Sequence, residues 1–596
     1  MSIAHTDLPE RSGVARVFWA SFALASVVFH IGLVFSGLVP NLVSRPVHLI
    51  FVLPWVLVYG QAGLSLVTGA VLAVLGIGVA GWVALSHDAL SEQYGFLEGP
   101  GQVALAAVLI GVVLEAARRA IGWPLPVVAA AALAYGLWGQ HIPGRFGHSG
   151  TPLESFLGTL TIAEGGLWGS LTAVSVNVVA IFVIFGAVLN AGEAGQGFMN
   201  VAAAAAGRLR GGAAKVSVLS SALFGSISGS ASANVASTGA ITLPAMDRLG
   251  YPKRIAGAVE AVASSGGQVM PPLMGAGAFV MVELTGTPYT AIMAAAALPA
   301  LLYFWAVWVG IDGYARRFDL RGLAPEDRPL VRDVAITSAF FLVPFTVLLW
   351  GMFGLDVTPQ YAACLAIFAG CALLLTGADL RIDLGRAAQR AELALLTAGR
   401  QVALIGSIIF CASLVIGVLG VTGLGVKITS LILSASGGML WPSLLLTAFA
   451  CLVLGMEVPT TAAYVICVSV AGPALIELGM DPLQAHLFVF WYALLSTITP
   501  PVCGAVFIAS GMIGENWLRV ALTAMALGVG LYLIPLGMVA NPALIGLAET
   551  PVAAGLAALK IGIGLGLVSW ALVRRKEIWM RGAMLGLGMG AILWPM

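Results

Sequence analysis

Long apolar runs, separated by short stretches bearing glycine, proline or arginine, recur along nearly the whole chain. A helix needs about 20 apolar residues to cross the hydrocarbon core of a bilayer, and roughly sixteen segments approach that pattern. Runs near 17–38, 47–62, 65–86, 101–117, 124–140 and 167–190 read as membrane helices, and so do runs near 290–312, 333–353, 358–376 and 401–420. A few stretches inside apolar surroundings break the helical pattern. "GSISGSASANVASTGAITLP" (225–244) crowds Gly and Ser together, and "SSGGQVMPP" (264–272) and "STITPP" (496–501) pair hydroxyls with glycine or proline. The pattern predicts an all-α polytopic membrane protein with interrupted helices.

Composition supports this reading. Of 596 residues, 60% are hydrophobic and only 9% are charged, with a mean hydropathy of +1.00. A water-soluble surface needs far more charge. The net charge of +1 excludes a nucleic-acid role on electrostatic grounds. The apolar run after Arg16 is too long for a secretory h-region and lacks a small-residue cleavage site, so it reads as the first spanning helix. All six cysteines lie in apolar segments without CxxC spacing and read as small buried hydrophobes. His30, His48 and His486 are scattered, with no HExxH, which argues against an intramembrane enzyme. No cofactor is expected.

Lys and Arg mark cytoplasmic loops. Arg11 and Arg16 place the N-terminus inside, and Arg118 and Arg119 mark the next return. Arg208, Arg210 and Lys215 precede the Gly/Ser stretch, and Arg248, Lys253 and Arg254 follow it. Basic residues on one side of both ends imply that residues 217–243 enter and leave on the cytoplasmic face, as a re-entrant hairpin. Irregular backbone at membrane depth is tolerated only where protein or a water-filled cavity surrounds it. Arg316 to Arg332 form another inside loop. Arg381, Arg386, Arg390 and Arg400 mark the inside again before the run at 401–420 exits. Arg574, Arg575 and Lys576 put the C-terminal region inside.

An offset of 229 positions lays one half of the chain on the other. Pro244 falls on Pro473, Leu249-Gly250 on Leu478-Gly479, Pro271-Pro272 on Pro500-Pro501 and Gly275-Ala276 on Gly504-Ala505, without a gap. The second copy starts after a helix that exits, so its hairpin (446–472) is expected to enter from outside. Two copies of opposite topology are an inverted repeat, and inverted repeats with broken helices and a midplane site mark secondary transporters. The broken helices are expected at 255–285 and 484–514. As one helix, residues 255–285 would run roughly 45 Å, against a core of about 30 Å. Unwound carbonyls and hydroxyls suit a hard monovalent cation, and half-helix N-termini suit an anion. Ser and Gly equally permit close helix packing, the plainer reading of the same residues.

"ASSGGQVMPPLMGAGAF", "GSISGSASANVASTGAITLPAM" and "GMEVPTTAAY" closely resemble the fused membrane permease of TRAP (tripartite ATP-independent periplasmic) transporters, and its TAXI branch most. The resemblance covers 167–320 and 397–515, with a weaker match at "VLEAARRAIGWPLP" (113–126). It implies a monomeric elevator permease in the bacterial inner membrane. This permease would take a small organic acid from a soluble periplasmic TAXI-type binding protein, with Na+ or H+ as coupling ion. The lack of a Walker A pattern agrees. Carried over by position, one sodium site would use Ser230, Asn234, Ser265, Gly266 and Gly267, and the other Thr460, Thr461, Thr497 and Thr499. Substrate would lie at Ser228, Gly229, Ser230, Ser232, Pro459, Thr460 and Thr461.

The expected organisation is N-terminal scaffold helices (1–150), a first repeat (151–320), central scaffold helices (321–396), a second repeat (397–541) and C-terminal helices (542–596). Glu457 occupies a tip where its counterpart is Ser228. A carboxylate at the bilayer midplane costs about 2.5–3.5 kcal/mol unless paired, hydrated or protonated. Glu457 is thus either a wet mouth residue or a proton carrier. Two rival readings remain: a sodium–dicarboxylate symporter that needs no binding protein, and a scaffold without transport activity.

Overall fold

The computed structural model describes residues 13–455, 460–573 and 578–595. Glu457 and Pro459 lie outside the described residues. Helices are the only regular elements among the described residues apart from a single isolated bridge between Thr376 and Ile382. Ten of its helices are long and apolar enough to cross a membrane. It divides into two compact units. One holds the chain up to Gly192, Val343–Gly438 and Ser469–Ala474; the other holds Glu193–Leu342, Met439–Val468 and the chain from Leu475 onward.

In the first unit, Gly13–Phe35, Asn41–Leu57, Gly63–Leu85, Gly99–Ile121 and Pro124–Trp138 are assembled with one very long helix, Leu384–Thr422. The sequence led us to expect this last helix only from residue 401, because Arg386, Arg390 and Arg400 read as a loop. The helix instead starts at Asp383, whose side chain caps it by accepting from Arg386 N. At 1.5 Å per residue its 39 residues span roughly 60 Å. Its charges stay on exposed or half-exposed positions while Ala387, Ala394 and Ala398 face inward. Neighbours approach it closely at glycines: a Cβ on Gly399 would come within 2.6 Å of the Trp55 ring, and one on Gly406 within 2.8 Å of Val52. Such small residues let helices pack where water supplies no driving force. Arg16 forms an ion pair with Glu392 on this helix. Buried beside it, His30 Nε2 meets His48 Nδ1 at 2.8 Å and His48 Nε2 meets Ser175 Oγ at 3.0 Å.

The second unit contains the interrupted elements, apart from Ser469–Ala474 in the middle of Thr460–Glu477. Gly212–Ser228 and Ala231–Arg248 form a helical hairpin around Gly229, whose φ of +60° suits a residue without a Cβ. Lys253–Gly266, a turn at Gly267–Val269, and Ala276–Thr285 form a helix–break–helix unit. Leu440–Leu454 with Thr460–Glu477, then Pro482–Leu494 and Gly504–Ile513, form a similar series. The helices Ala231–Arg248 and Thr460–Glu477 begin and end 229 positions apart. Both finish in the same C-terminal motif. Tyr251 N donates to Met246 O and Gly250 N to Asp247 O (3.1 and 3.0 Å); Met480 N donates to Leu475 O and Gly479 N to Ile476 O (3.2 and 2.9 Å). This is the Schellman arrangement, and it explains the positive φ at Gly250 (76°) and Gly479 (92°). Both Pro-Pro bonds, Pro271-Pro272 and Pro500-Pro501, are cis.

Candidate functional site

Among the described residues, all those singled out from the sequence for ions and substrate belong to the second unit. Around the first hairpin the backbone approaches at two glycine pairs. A Cβ on Gly229 would lie 2.6 Å from Gly275 Cα, and a Cβ on Gly225 would lie 2.5 Å from Gly267 Cα. The first pair seats the hairpin tip on the start of Ala276–Thr285. The second presses the hairpin against the turn that ends Lys253–Gly266.

The tip is short because Ser230 starts the next helix at once: its Oγ accepts from Ala233 N at 3.3 Å. Ser228 Oγ lies 3.5 Å from Ser230 O. Ser228, Gly229 and Ser230 are half-buried, and Ser232 is exposed. Ser232 Oγ also lies 3.6 Å from where a Cβ on Gly504 would be, so the tip neighbours the start of Gly504–Ile513 as well. Three helix N-termini therefore meet around the tip: those beginning at Ala231, Ala276 and Gly504. First-turn N–H groups lack intrahelical partners and carry the positive end of the helix dipole.

Deeper in, Asn234 is fully buried. Its Nδ2 donates to Ser221 O at 2.9 Å and lies 3.5 Å from Ser264 O. Its Oδ1 lies 3.3 Å from Thr238 Oγ1. Ser265, Gly266 and Gly267 are buried beside it on the end of the broken helix. Ser265 Oγ donates to Ala261 O at 2.8 Å and accepts from Thr497 Oγ1 at 2.9 Å. The ends of the two broken helices thus meet hydroxyl to hydroxyl. Thr499 Oγ1 lies 2.6 Å from Tyr532 Oη, and Thr461 is half-buried at the start of its helix. Thr460 donates to Gln268 Oε1.

The structure thus draws Ser230, Asn234, Ser265, Gly266 and Gly267 around the first break and Thr497 onto it. Thr460 reaches the same break through Gln268. Gln268 was missed in the sequence because its partner lies 192 positions away. Glu260 was missed too. It is fully buried and accepts hydrogen bonds from Ser217, Thr238 and Thr242. Under the 229-residue offset it matches Val489, so the repeat gave no reason to look at it. No group of three or more metal-binding side chains occurs among the described residues.

Residues 108–553 match the family described as "Tripartite ATP-independent periplasmic transporter, DctM component". Over 343 residues the chain is 27% identical to the C4-dicarboxylate TRAP transporter large permease protein DctM of Pseudomonas aeruginosa, covering 56% of this chain and 77% of that protein. It is 25% identical over 456 residues to the isethionate TRAP transporter permease protein DctMQ of Oleidesulfovibrio alaskensis, covering 72% and 70%. It is 24% identical over 441 residues to a C4-dicarboxylate DctM permease of Vibrio cholerae, covering 70% and 92%.

Proposed function

Because the chain belongs to the DctM component family of tripartite ATP-independent periplasmic transporters, we propose that it is a fused TRAP permease of the TAXI branch. It takes up a small organic anion from a soluble periplasmic binding protein by an elevator motion coupled to a Na+ or H+ gradient. The chain is a multi-pass permease of the bacterial inner membrane and not an enzyme. The observation that carries the anion reading is the meeting of three helix N-termini at the Gly229 tip, with half-buried hydroxyls and no basic side chain on the tip itself. Helix N-termini bind anions through backbone N–H groups and the dipole. The relatives' names, C4-dicarboxylate and isethionate, share a small anion and differ in acid group. Backbone donors suit that latitude.

In this reading sodium would bind at Ser230, Asn234, Ser265, Gly266 and Gly267 and, in the second repeat, at Thr460, Thr461, Thr497 and Thr499; substrate would bind at the tips around Ser228 to Ser232 and Thr460 to Thr461. The hairpins and broken helices form the moving part and the N-terminal and central helices the scaffold; in support, the N-terminal helices lie in one compact unit and the first hairpin with both broken helices in the other. The N-terminal residues before 108 fall outside the family match, as fused small-subunit helices would. Uptake of a labelled panel of small carboxylates and isethionate by reconstituted permease tests the function. Transport is expected only when the cognate binding protein is added; equal uptake without it sinks the tripartite reading and favours a self-sufficient symporter.

The matched element boundaries and paired Schellman ends support a repeat, and the basic residues flanking the first hairpin support the reading that the repeat is inverted with two re-entrant hairpins. Arg248 and Glu477, exposed and 229 positions apart, end the two hairpins. In a cysteine-free background, Arg248→Cys is expected to react with a membrane-impermeant thiol reagent only from the cytoplasm and Glu477→Cys only from the periplasm. Labelling of both from one side ends the inverted-repeat proposal.

A further inference from the structure

Glu260 sits in the middle of Lys253–Gly266, fully buried, with no Lys, Arg or His in ion-pair range among the described residues. Its carboxyl is surrounded by hydroxyls instead. Ser217 Oγ donates to Oε2 at 2.8 Å, Thr238 donates to Oε1 and Thr242 to Oε2. Ser264, one turn along the same helix, offers a fourth hydroxyl that is fully buried and makes no hydrogen bond elsewhere among the described residues. An ionisable side chain inside a membrane protein is costly to bury, and its retention calls for a use.

We propose that Glu260 in this hydroxyl cage is a proton-binding site of the permease. The cage serves both protonation states without leaving a buried polar group unpaired. With the carboxylate ionised, three hydroxyls donate to it. When a proton binds, Thr238 Oγ1 has Asn234 O at 2.8 Å as an alternative acceptor, and Thr242 Oγ1 has Thr238 O at 3.0 Å. One released hydroxyl oxygen then accepts from the new carboxylic O–H. The proton comes from water and returns to it, and no covalent bond other than O–H changes.

A metal cation fits less well. Calcium, for example, holds oxygens about 2.3–2.6 Å from its own centre, which sets them further apart than hydrogen-bonded oxygens. Here the carboxylate and hydroxyl oxygens already touch at hydrogen-bond length, with room between them for a proton.

Charged and titratable groups on the surrounding helices are exposed or bonded to other groups, and none shows a bond to Glu260 among the described residues. On the hairpin, Lys215 pairs with Asp312 at 2.6 Å and lies over the Trp308 ring, while Asp247 and Arg248 are exposed. Lys253 and Arg254 on its own helix are exposed, as is Arg519 on Trp517–Leu527. Gly504–Ile513 carries no titratable group. On Tyr289–Arg317, Tyr303 Oη donates to Val262 O at 2.6 Å, Tyr289 Oη to Leu273 O at 2.9 Å, and Arg316 and Arg317 are exposed; Tyr314 has no bond to Glu260. Solvation and the hydroxyls therefore set the proton affinity.

The site is also tied to the sodium position proposed above. Thr238, the donor to Glu260, is bonded to Asn234 O and close to Asn234 Oδ1. Loading Glu260 with a proton shifts Thr238 toward Asn234. This consequence rests on the transporter reading; the proton site itself does not.

The test is infrared difference spectroscopy of the full-length detergent-purified permease during a pH titration in potassium buffer, without substrate or binding protein. The wild type is expected to show a carboxylic-acid band that is present at low pH and is lost as the pH is raised. Glu260→Gln is expected to lack it. Ser217→Ala keeps the carboxyl and removes one donor to its charged form. Its midpoint is expected to move up by about one to two pH units, the worth of one hydrogen bond to a charged group. Size-exclusion profiles confirm that both variants are folded. An identical titrating band in Glu260→Gln, a midpoint unmoved in Ser217→Ala, or a band that responds to added sodium chloride and not to pH overturns the proposal. None of these outcomes bears on uptake, so the transporter reading stands or falls by its own assay.

Discussion

Replacing Gly267 by alanine, or Gly225 by valine, reduces uptake by about tenfold or more and lowers the thermal midpoint of the purified permease. A Cβ on Gly267 would lie 2.6 Å from Gly225 Cα and 2.7 Å from Ser221 O; a Cβ on Gly225 would lie 2.5 Å from Gly267 Cα and 2.7 Å from Asn234 Nδ2. Most of these obstacles are backbone, which cannot rotate away as a side chain can. The Asn234 amide cannot retreat either, because it is bonded to Ser221 O at 2.9 Å. Forcing a methyl into a packed contact costs about 1–3 kcal/mol, and about 1.4 kcal/mol is already tenfold in a rate or equilibrium. The displaced element is the one that carries the proposed ion ligands. Gly195→Ala is the control: nothing lies within 4 Å of its added Cβ, and alanine is the better helix former by about 1 kcal/mol. Uptake by Gly267→Ala within about twofold of wild type would show that the hairpin and broken helix separate easily, against the packing seen here.

What the sequence made legible was local or periodic. Pro271-Pro272, Pro500-Pro501 and the crowded serines announced breaks, because proline lacks an N–H and glycine lacks a Cβ wherever they stand. The 229-residue offset was readable because Leu-Gly and Pro-Pro pairs hold turns that tolerate little else, and the matched Schellman ends at Gly250 and Gly479 give the reason for one of them. Helix limits failed where charge did not mean loop: Arg386 and Arg390 ride on the half-exposed side of a helix that continues beyond any bilayer core. Side-chain partnership was illegible at long range. Glu260 is one acid in an alanine-rich helix, and its donors lie 43, 22 and 18 positions away on two other helices. Nothing in the local pattern separates it from an acid at a helix mouth. Thr497 and Ser265 were each picked out alone, yet their contact joins the two breaks. Such a contact is a property of the assembled unit.

Asn234→Ala raises the sodium concentration needed for half-maximal uptake by about tenfold, and Thr499→Ala raises it independently. Asn234 offers Oδ1 from a fully buried position while its Nδ2 is held by Ser221 O, so the oxygen is fixed in orientation before any ion arrives. Loss of a preorganised ligand to a charge costs about 1.5–3 kcal/mol, which corresponds to a factor of about ten to a hundred. Thr499 belongs to the other break, with its hydroxyl bonded to Tyr532 Oη at 2.6 Å. Changes at sites without shared partners add in free energy. The double variant is therefore expected to multiply the two factors, while the affinity of the permease for its binding protein stays as in wild type. Ser221 O loses its donor in Asn234→Ala, and a purely structural defect there would lower the maximal rate at saturating sodium as well. The ion-site reading requires that rate to be largely restored when sodium is raised. Unchanged sodium dependence in both single variants, or a depressed maximal rate that no sodium concentration restores, removes Asn234 and Thr499 from the ion sites and leaves them as packing residues.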